Sequence, residues 1–311
     1  IHVNVNYRYT ADEVFYIFDN SDATVVVYGS EFRHNIEAIR ERLPLVRTYV
    51  EIGDEAPPAF AEAFETLAAE GDGSPLRLPR SEPDQLYLYT GGTTGMPKGV
   101  MWTQTGIREV GQIAARKLGP VPETLEEYVE ATVAAPAGPA LICPPLMHGT
   151  GLFTAMANML AGGAVVTLTH ASFDPREALD AIDRWRPESM AIVGDPFARP
   201  MVEALDAEPG RWDVSSMLRI TSSGVMWSVE VKRGMLRYMP QAVLSDAFSS
   251  SEALGMGVSL MTAEGEIPTA KFAISDRASV RDEDGVPVTP GSGQAGLLHL
   301  GEPNPIGYYK D

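Results

Sequence analysis

The stretch Leu88-Tyr-Thr-Gly-Gly-Thr-Thr-Gly-Met-Pro-Lys-Gly-Val100 packs glycines, threonines and one lysine into a single short loop. Its glycines Gly91, Gly92 and Gly95 permit close backbone approach and positive φ, so successive amides can converge on an anion. Thr90, Thr93 and Thr94 add hydroxyl donors, and Lys98 adds a positive charge. Together they describe a cradle for the terminal phosphates of a nucleotide. A hairpin turn with a solvated lysine is the plainer reading, but turns rarely carry three hydroxyls and a lysine at this density. A Walker A loop is excluded, because Pro97 precedes the lysine and Gly99 follows it where that pattern wants Gly-Lys-Ser/Thr.

Outward from this loop the chain alternates strands and helices. Upstream, Thr10-Ala-Asp-Glu13 has the form of a capping box, so a helix is expected from residue 11. A buried strand is expected at 24–28, helix from about 31 to 42, strand near 46–52 and helix near 59–69. Strands 86–89 and 99–103 flank the loop, and a helix runs on to Leu118 before Gly119-Pro120. Downstream, strands are expected at 141–146, 164–169, 190–193, 218–221 and 242–247. Helices near 152–161, 174 onward, 196–205 and 228–239 separate them. This cadence means α/β architecture, mostly parallel sheet covered on both faces. From about Gly255 the pattern changes to short strands with turns at Asp284-Gly285 and Pro290-Gly291-Ser292-Gly293, the mark of a small antiparallel β unit.

Composition narrows the possibilities. The 311 residues are 44% apolar and 21% charged, ordinary for a globular chain and too apolar for disorder. A net charge of −18 repels phosphate backbones and anionic lipid, which argues against a nucleic-acid or membrane-surface protein. No apolar run approaches the roughly twenty residues of a membrane span, and no secretory signal is visible. The lone Cys143 can form no internal disulfide. A cytoplasmic protein is expected. The start at Ile1, already in folded-type sequence, reads as that of a fragment.

The signature loop resembles the phosphate-binding motif of adenylate-forming enzymes, the superfamily of acyl-CoA synthetases, luciferases and peptide-synthetase adenylation domains. Five further segments resemble that family in order: Val3–Glu13, Pro145-Leu-Met-His-Gly-Thr-Gly151, Ser222-Ser-Gly-Val-Met226, Phe248-Ser-Ser-Ser-Glu252 and Gly307-Tyr-Tyr-Lys-Asp311. The resemblance covers essentially the whole chain and lies closest to actinobacterial fatty-acyl and steroid-acid CoA ligases. It implies the large N-terminal domain of an adenylate-forming enzyme: two mostly parallel sheets flanked by helices, then the start of a small antiparallel unit. The implied division is an adenylation core of two subdomains over 1–254, partial at its N-terminus, and a partial β subdomain over 255–311. The family's smaller C-terminal domain is expected to lie outside these 311 residues.

The resemblance also implies chemistry: a carboxylate attacks ATP, expels pyrophosphate, and the acyl group passes from AMP to the thiol of coenzyme A. Lys98, His148 and Glu252 would serve catalysis. Glu252, a hard oxygen donor, would ligate Mg²⁺ with Thr90 as a second contact, although Thr90 also reads as a strand-end cap. Ser251 keeps the hydroxyl of the family's threonine. Phe248 stands where an aromatic stacks on adenine, and Gly224, Val225 and Ala247 would pass along the base. Asp246 is either an acceptor for the adenine amino group or a surface carboxylate. His148, Gly149 and Leu152 would border the acyl group, and Trp227 lines that pocket or belongs to the core. Val225-Met226 departs from the family's Ala-Pro pair, and no acidic residue beside His148 offers to hold a substrate amine.

ATP and AMP, Mg²⁺ and coenzyme A are therefore the expected cofactors and co-substrates. A carboxylic acid is the expected substrate, fatty or otherwise bulky and apolar. No nucleic-acid partner or stable membrane insertion is expected, and a homodimer is left open. The alternative is a module of the same fold that binds nucleotide or acyl group without chemistry. Because the family's ribose-binding aspartate and C-terminal lysine are not among these residues, the 311-residue chain is expected to turn over poorly alone.

Overall fold

A computed structural model describes residues 1–75, 77–79, 81, 83–91, 95–116, 119–265 and 271–311, Ala114 in its backbone only. The chain forms two compact units, 1–104 with 306–311, and 105–305.

The first unit is built from strand His2–Val3 (β1), helix Ala11–Asn20 (α1), strand Val25–Gly29 (β2), helix Arg33–Ile39 (α2) and strand Thr48–Ile52 (β3). Strand Glu62–Ala63 (β4), helix Phe64–Glu70 (α3) and strands Gln85–Thr90 (β5) and Lys98–Thr103 (β6) complete it with a last strand, Gly307–Tyr308. Helix α1 starts where the capping box requires: Glu13 accepts from the Thr10 backbone N–H at 2.8 Å. Strands β2, β3 and β4 form a parallel sheet. The sheet holding the signature loop is of another kind. Strands β5 and β6 are antiparallel, with Thr90 paired to Lys98 and Tyr89 to Gly99. A parallel pair needs a crossover of a dozen or more residues, so the few residues between them leave only the antiparallel arrangement.

The second unit continues with helices Gln104–Arg116 (α4) and Leu125–Ala134 (α5), strand Ala140–Ile142 (β7), helix Gly149–Leu160 (α6), strand Val165–Thr167 (β8) and helix Pro175–Trp185 (α7). Strand Ser189–Ile192 (β9), helix Asp195–Ala207 (α8), strand Arg219–Ser223 (β10) and helix Val229–Tyr238 (α9) follow. Then come strands Val243–Ser250 (β11), Ala253–Met261 (β12), Ala273–Ile274 (β13), Ala278–Arg281 (β14) and Leu297–Leu300 (β15). A seven-stranded sheet runs in the order β13-β12-β11-β10-β9-β7-β8, parallel from β8 to β11 and antiparallel at β12 and β13. Alternation along the strands divides its two faces. Met190 and Ile192 enter the main core with residues of α7, α8 and α9, while Ala191 joins Ala140, Ile142 and Ala155 on the α6 side.

The mixed α/β architecture expected from the sequence is the one observed, and β14 and β15 form a small antiparallel pair. Some details differ: strand β2 is half-buried, with Val25 and Val27 exposed, where a buried strand was expected. The units do not divide at 254/255, because β12 crosses that point and extends the large sheet beyond β11. Helix α5 was not expected: its apolar residues bury nothing. The expected helix end at Leu118 lies outside the described residues.

Candidate functional site

In the first unit, Thr90 and Lys98 face each other as the last pair of the β5–β6 ladder, with the signature loop between them. Gly92, Thr93 and Thr94 lie outside the described residues. A Cβ at Gly91 or Gly95 would meet nothing within 4 Å, so the backbone at both points is approachable. The Lys98 ammonium is half exposed, donates to Asp311 Oδ2 at 2.5 Å and sits 5.1 Å from the Tyr308 ring centroid. That carboxylate raises the lysine above its ordinary range, so it stays charged. The terminal segment is held by Tyr309 Oη donating to Asp22 at 2.7 Å and by the Lys310–Asp22 pair, also 2.7 Å.

In the second unit, the expected residues gather at the carboxyl ends of the parallel strands, where open α/β sheets place their ligands. His148 is exposed at the N-cap of α6, and Gly149 opens the helix. Gly151 has a packing reason: a Cβ there would stand 2.6 Å from the carbonyl oxygens of Pro144 and Pro145. The glycine lets the β7–α6 connection fold back over the first helical turn. Leu152 is buried in that turn, its N–H bonded to the His148 carbonyl at 2.9 Å.

The β10–α9 segment carries Gly224 at φ +93°, with Val225 and Met226 exposed beside it. It is pinned from below by the turn after β9. Gly194 N–H donates to Ser222 Oγ at 2.9 Å, and Asp195 accepts from both the backbone and hydroxyl of Ser228 at 2.8 Å. Gly194 has φ +56°, and a Cβ there would lie 2.6 Å from the Met226 carbonyl oxygen, so only glycine fits. Neither Gly194 nor Asp195 was singled out in the sequence; the Gly-Asp-Pro start of α8 was the available signal.

Strand β11 carries Asp246, Ala247 and Phe248. Ala247 lends its carbonyl to the Ser223 hydroxyl at 2.9 Å. Phe248 is 42% exposed and packs beside Phe272 at 5.4 Å between centroids. Ser251 and Glu252 occupy the turn between β11 and β12, where Ser250 pairs with Ala253. The glutamate thus sits on a hairpin tip.

Two residues are placed otherwise than a base or acyl contact would have them. Asp246 is neither on the surface nor open: it is buried and accepts from the Lys232 ammonium at 2.9 Å. Trp227 is wholly buried within the main core, because Lys232 and the helices behind it close over the ring. Its place is packing, the second of its two readings.

The residues present suit a magnesium ion bound together with phosphates. No cluster of three or more His, Cys, Asp or Glu side chains arranged to hold a metal occurs among the described residues. Magnesium usually keeps its waters and takes one or two carboxylates plus substrate phosphates, so a single hard donor such as Glu252 matches that habit.

Residues gathered at the carboxyl ends of parallel strands are the usual setting of a nucleotide-binding domain. The model of the AMP-binding enzyme family matches residues 1–309, and the chain belongs to that family. It is 33% identical over 327 residues to a 3-oxocholest-4-en-26-oate–CoA ligase of Rhodococcus rhodochrous, covering 100% of this chain and 58% of the relative. A medium/long-chain-fatty-acid–CoA/3-oxocholest-4-en-26-oate–CoA ligase of Mycolicibacterium smegmatis is 32% identical over 323 residues, with the same coverage. In fold the chain is similar to an anthranilate CoA ligase solved with anthranoyl-AMP, at TM-score 0.79 and 19% identity, over 100% of this chain and 57% of that one. The chain therefore spans under two thirds of the length of these relatives.

Proposed function

We propose that the chain is the larger part of an ATP- and Mg²⁺-dependent acyl-CoA synthetase acting on a fatty or other bulky apolar acid. The observation that carries this reading is the identity with CoA ligases for steroid and medium- or long-chain acids, which runs the full length of the chain. In this reading Lys98 and the loop from Thr90 hold the β- and γ-phosphates, displacing Asp311 from the ammonium. Glu252 would hold the magnesium, which supplies charge neutralisation at the phosphates. Phe248, Gly224 and Val225 border the base, and Ser251 reaches the α-phosphate. His148 borders the carboxylate and screens charge without acting as a base. The protein is cytoplasmic in this proposal.

The test compares nucleotides. Lys98→Ala should weaken ATP about tenfold or more, because a charge-assisted contact is lost, and leave AMP nearly unchanged. Titration calorimetry on the 311-residue chain reads both. Equal weakening of the two nucleotides would remove Lys98 from the polyphosphate. Acid-dependent pyrophosphate release by the whole gene product then separates an enzyme from a module that binds without chemistry.

A further inference from the structure

Buried polarity in the second unit is concentrated at one place. Among its described residues the buried polar side chains are Ser222, Lys232, Asp246 and Ser259. Register sets three of them in a row: Ser222 opposite Asp246 on β10 and β11, and Asp246 opposite Ser259 on β11 and β12. The neighbouring row on the same face, Ile220, Leu244 and Met261, is apolar and belongs to the main core. Lys232 comes to the polar row from α9. Its Nζ donates to Asp246 Oδ2 at 2.9 Å, the two side chains being 4% and 8% exposed, and lies 5.4 Å from the Trp227 ring centroid. The Trp227 indole N–H is itself buried with no acceptor.

Stability alone does not account for such a pair. Desolvating both ions offsets most of their attraction, and an apolar pair of similar volume is often as stable or more so. What the ammonium does is tie two chain segments together. Asp246 stands two residues before the exposed Phe248, and Trp227 two residues after the exposed Val225. One cation therefore joins the β10–α9 segment to β11, beside the backbone ladder and the Ser223–Ala247 bond.

We propose that Lys232, acting through Asp246 and Trp227, is a positioning residue for the nucleotide base, fixing the two walls carried by Val225 and Phe248. The proposal rests on the reading of this chain as a nucleotide-binding domain. It also gives Asp246 a role that needs no direct contact with the base.

Binding of AMP and of inorganic pyrophosphate to the 311-residue chain tests it, measured by calorimetry beside thermal melting. The proteins are the wild type, Lys232→Met, and the double variant Lys232→Met/Asp246→Leu, which leaves no lone buried charge should the single variant not fold. Expected is an AMP affinity weakened about tenfold in each folded variant, pyrophosphate within about twofold of wild type, and a double variant melting near or above the wild type. A folded double variant that binds AMP like the wild type overturns the positioning role. So does equal weakening of pyrophosphate, or a double variant with no cooperative melt, since either makes the pair structural. A wild type that binds pyrophosphate and ATP but shows no AMP binding also overturns it. A wild type that binds no nucleotide at all sinks the nucleotide reading itself, and the two failures are thus distinguishable.

Discussion

Asp195 shows how much one carboxylate can organise. Burial alone would raise its pKa, but the backbone and hydroxyl donors of Ser228 and the Arg199 guanidinium, 3.0 Å away, outweigh burial and lower it. A depressed folded pKa contributes stability that is present above the unfolded value, about 3.9, and is lost as pH falls through the folded value. Asp195→Asn should therefore cost about 1–2 kcal/mol at pH 7, with the gap to wild type closing below about pH 4. Denaturant melts across that range check it, and a gap independent of pH would mean that packing, not charge, is lost. Asp311 invites the opposite experiment. Its carboxylate holds Lys98, so Asp311→Asn should tighten ATP several-fold. Weaker ATP binding in that variant would make Asp311 an organiser of the loop, not a competitor for it.

Elements differ in what supports them. Helix α9 is capped by Ser228, whose hydroxyl accepts from Val231 N–H, and it buries Val231, Lys232, Met235 and Leu236 against the sheet. Helix α7 starts from an Asp174 cap with Pro175 behind it, and ends on Arg186 in the left-handed conformation. By contrast α5 has a complete capping box, Thr124 with Glu127, and no buried residue. Leu125, Val129 and Val133 recur every fourth residue, an apolar stripe open to solvent. Its local signals are strong and its tertiary support is weak. Leu125→Glu should accordingly change stability by no more than about 0.5 kcal/mol, read as an unchanged melting temperature. A clear loss would mean that this stripe is covered in solution.

At the scale of the whole molecule, each unit has its own core. Each buried methylene contributes about 0.8 kcal/mol. In the proposed enzyme octanoate, palmitate or a steroid side-chain acid should therefore exceed acetate by large factors in kcat/KM. Comparing these four acids on the whole gene product checks the substrate class. Acetate or an amino acid as best substrate would overturn the bulky-acid assignment and leave the adenylation reading in place. No described helix is long and apolar enough to cross a membrane.

Local chemistry sufficed for much of this. The capping box at Thr10, the proline opening α7 and the β-branched run of β2 each act over a few residues, so their consequences can be read along the chain. The signature loop is likewise proposed as an anion cradle from its residue types alone. Pairing across the chain was another matter. That β12 continues the large sheet, that Glu252 rides a hairpin tip, and that Trp227 is core depend on register and on which helix closes which face. Lys232 is the sharpest case. In sequence it is one cation on an amphipathic helix, indistinguishable from a solvated one. Only the packing of α9 over β11 removes it from water and makes Asp246 its partner, because desolvation belongs to the assembled core and to no local stretch of residues.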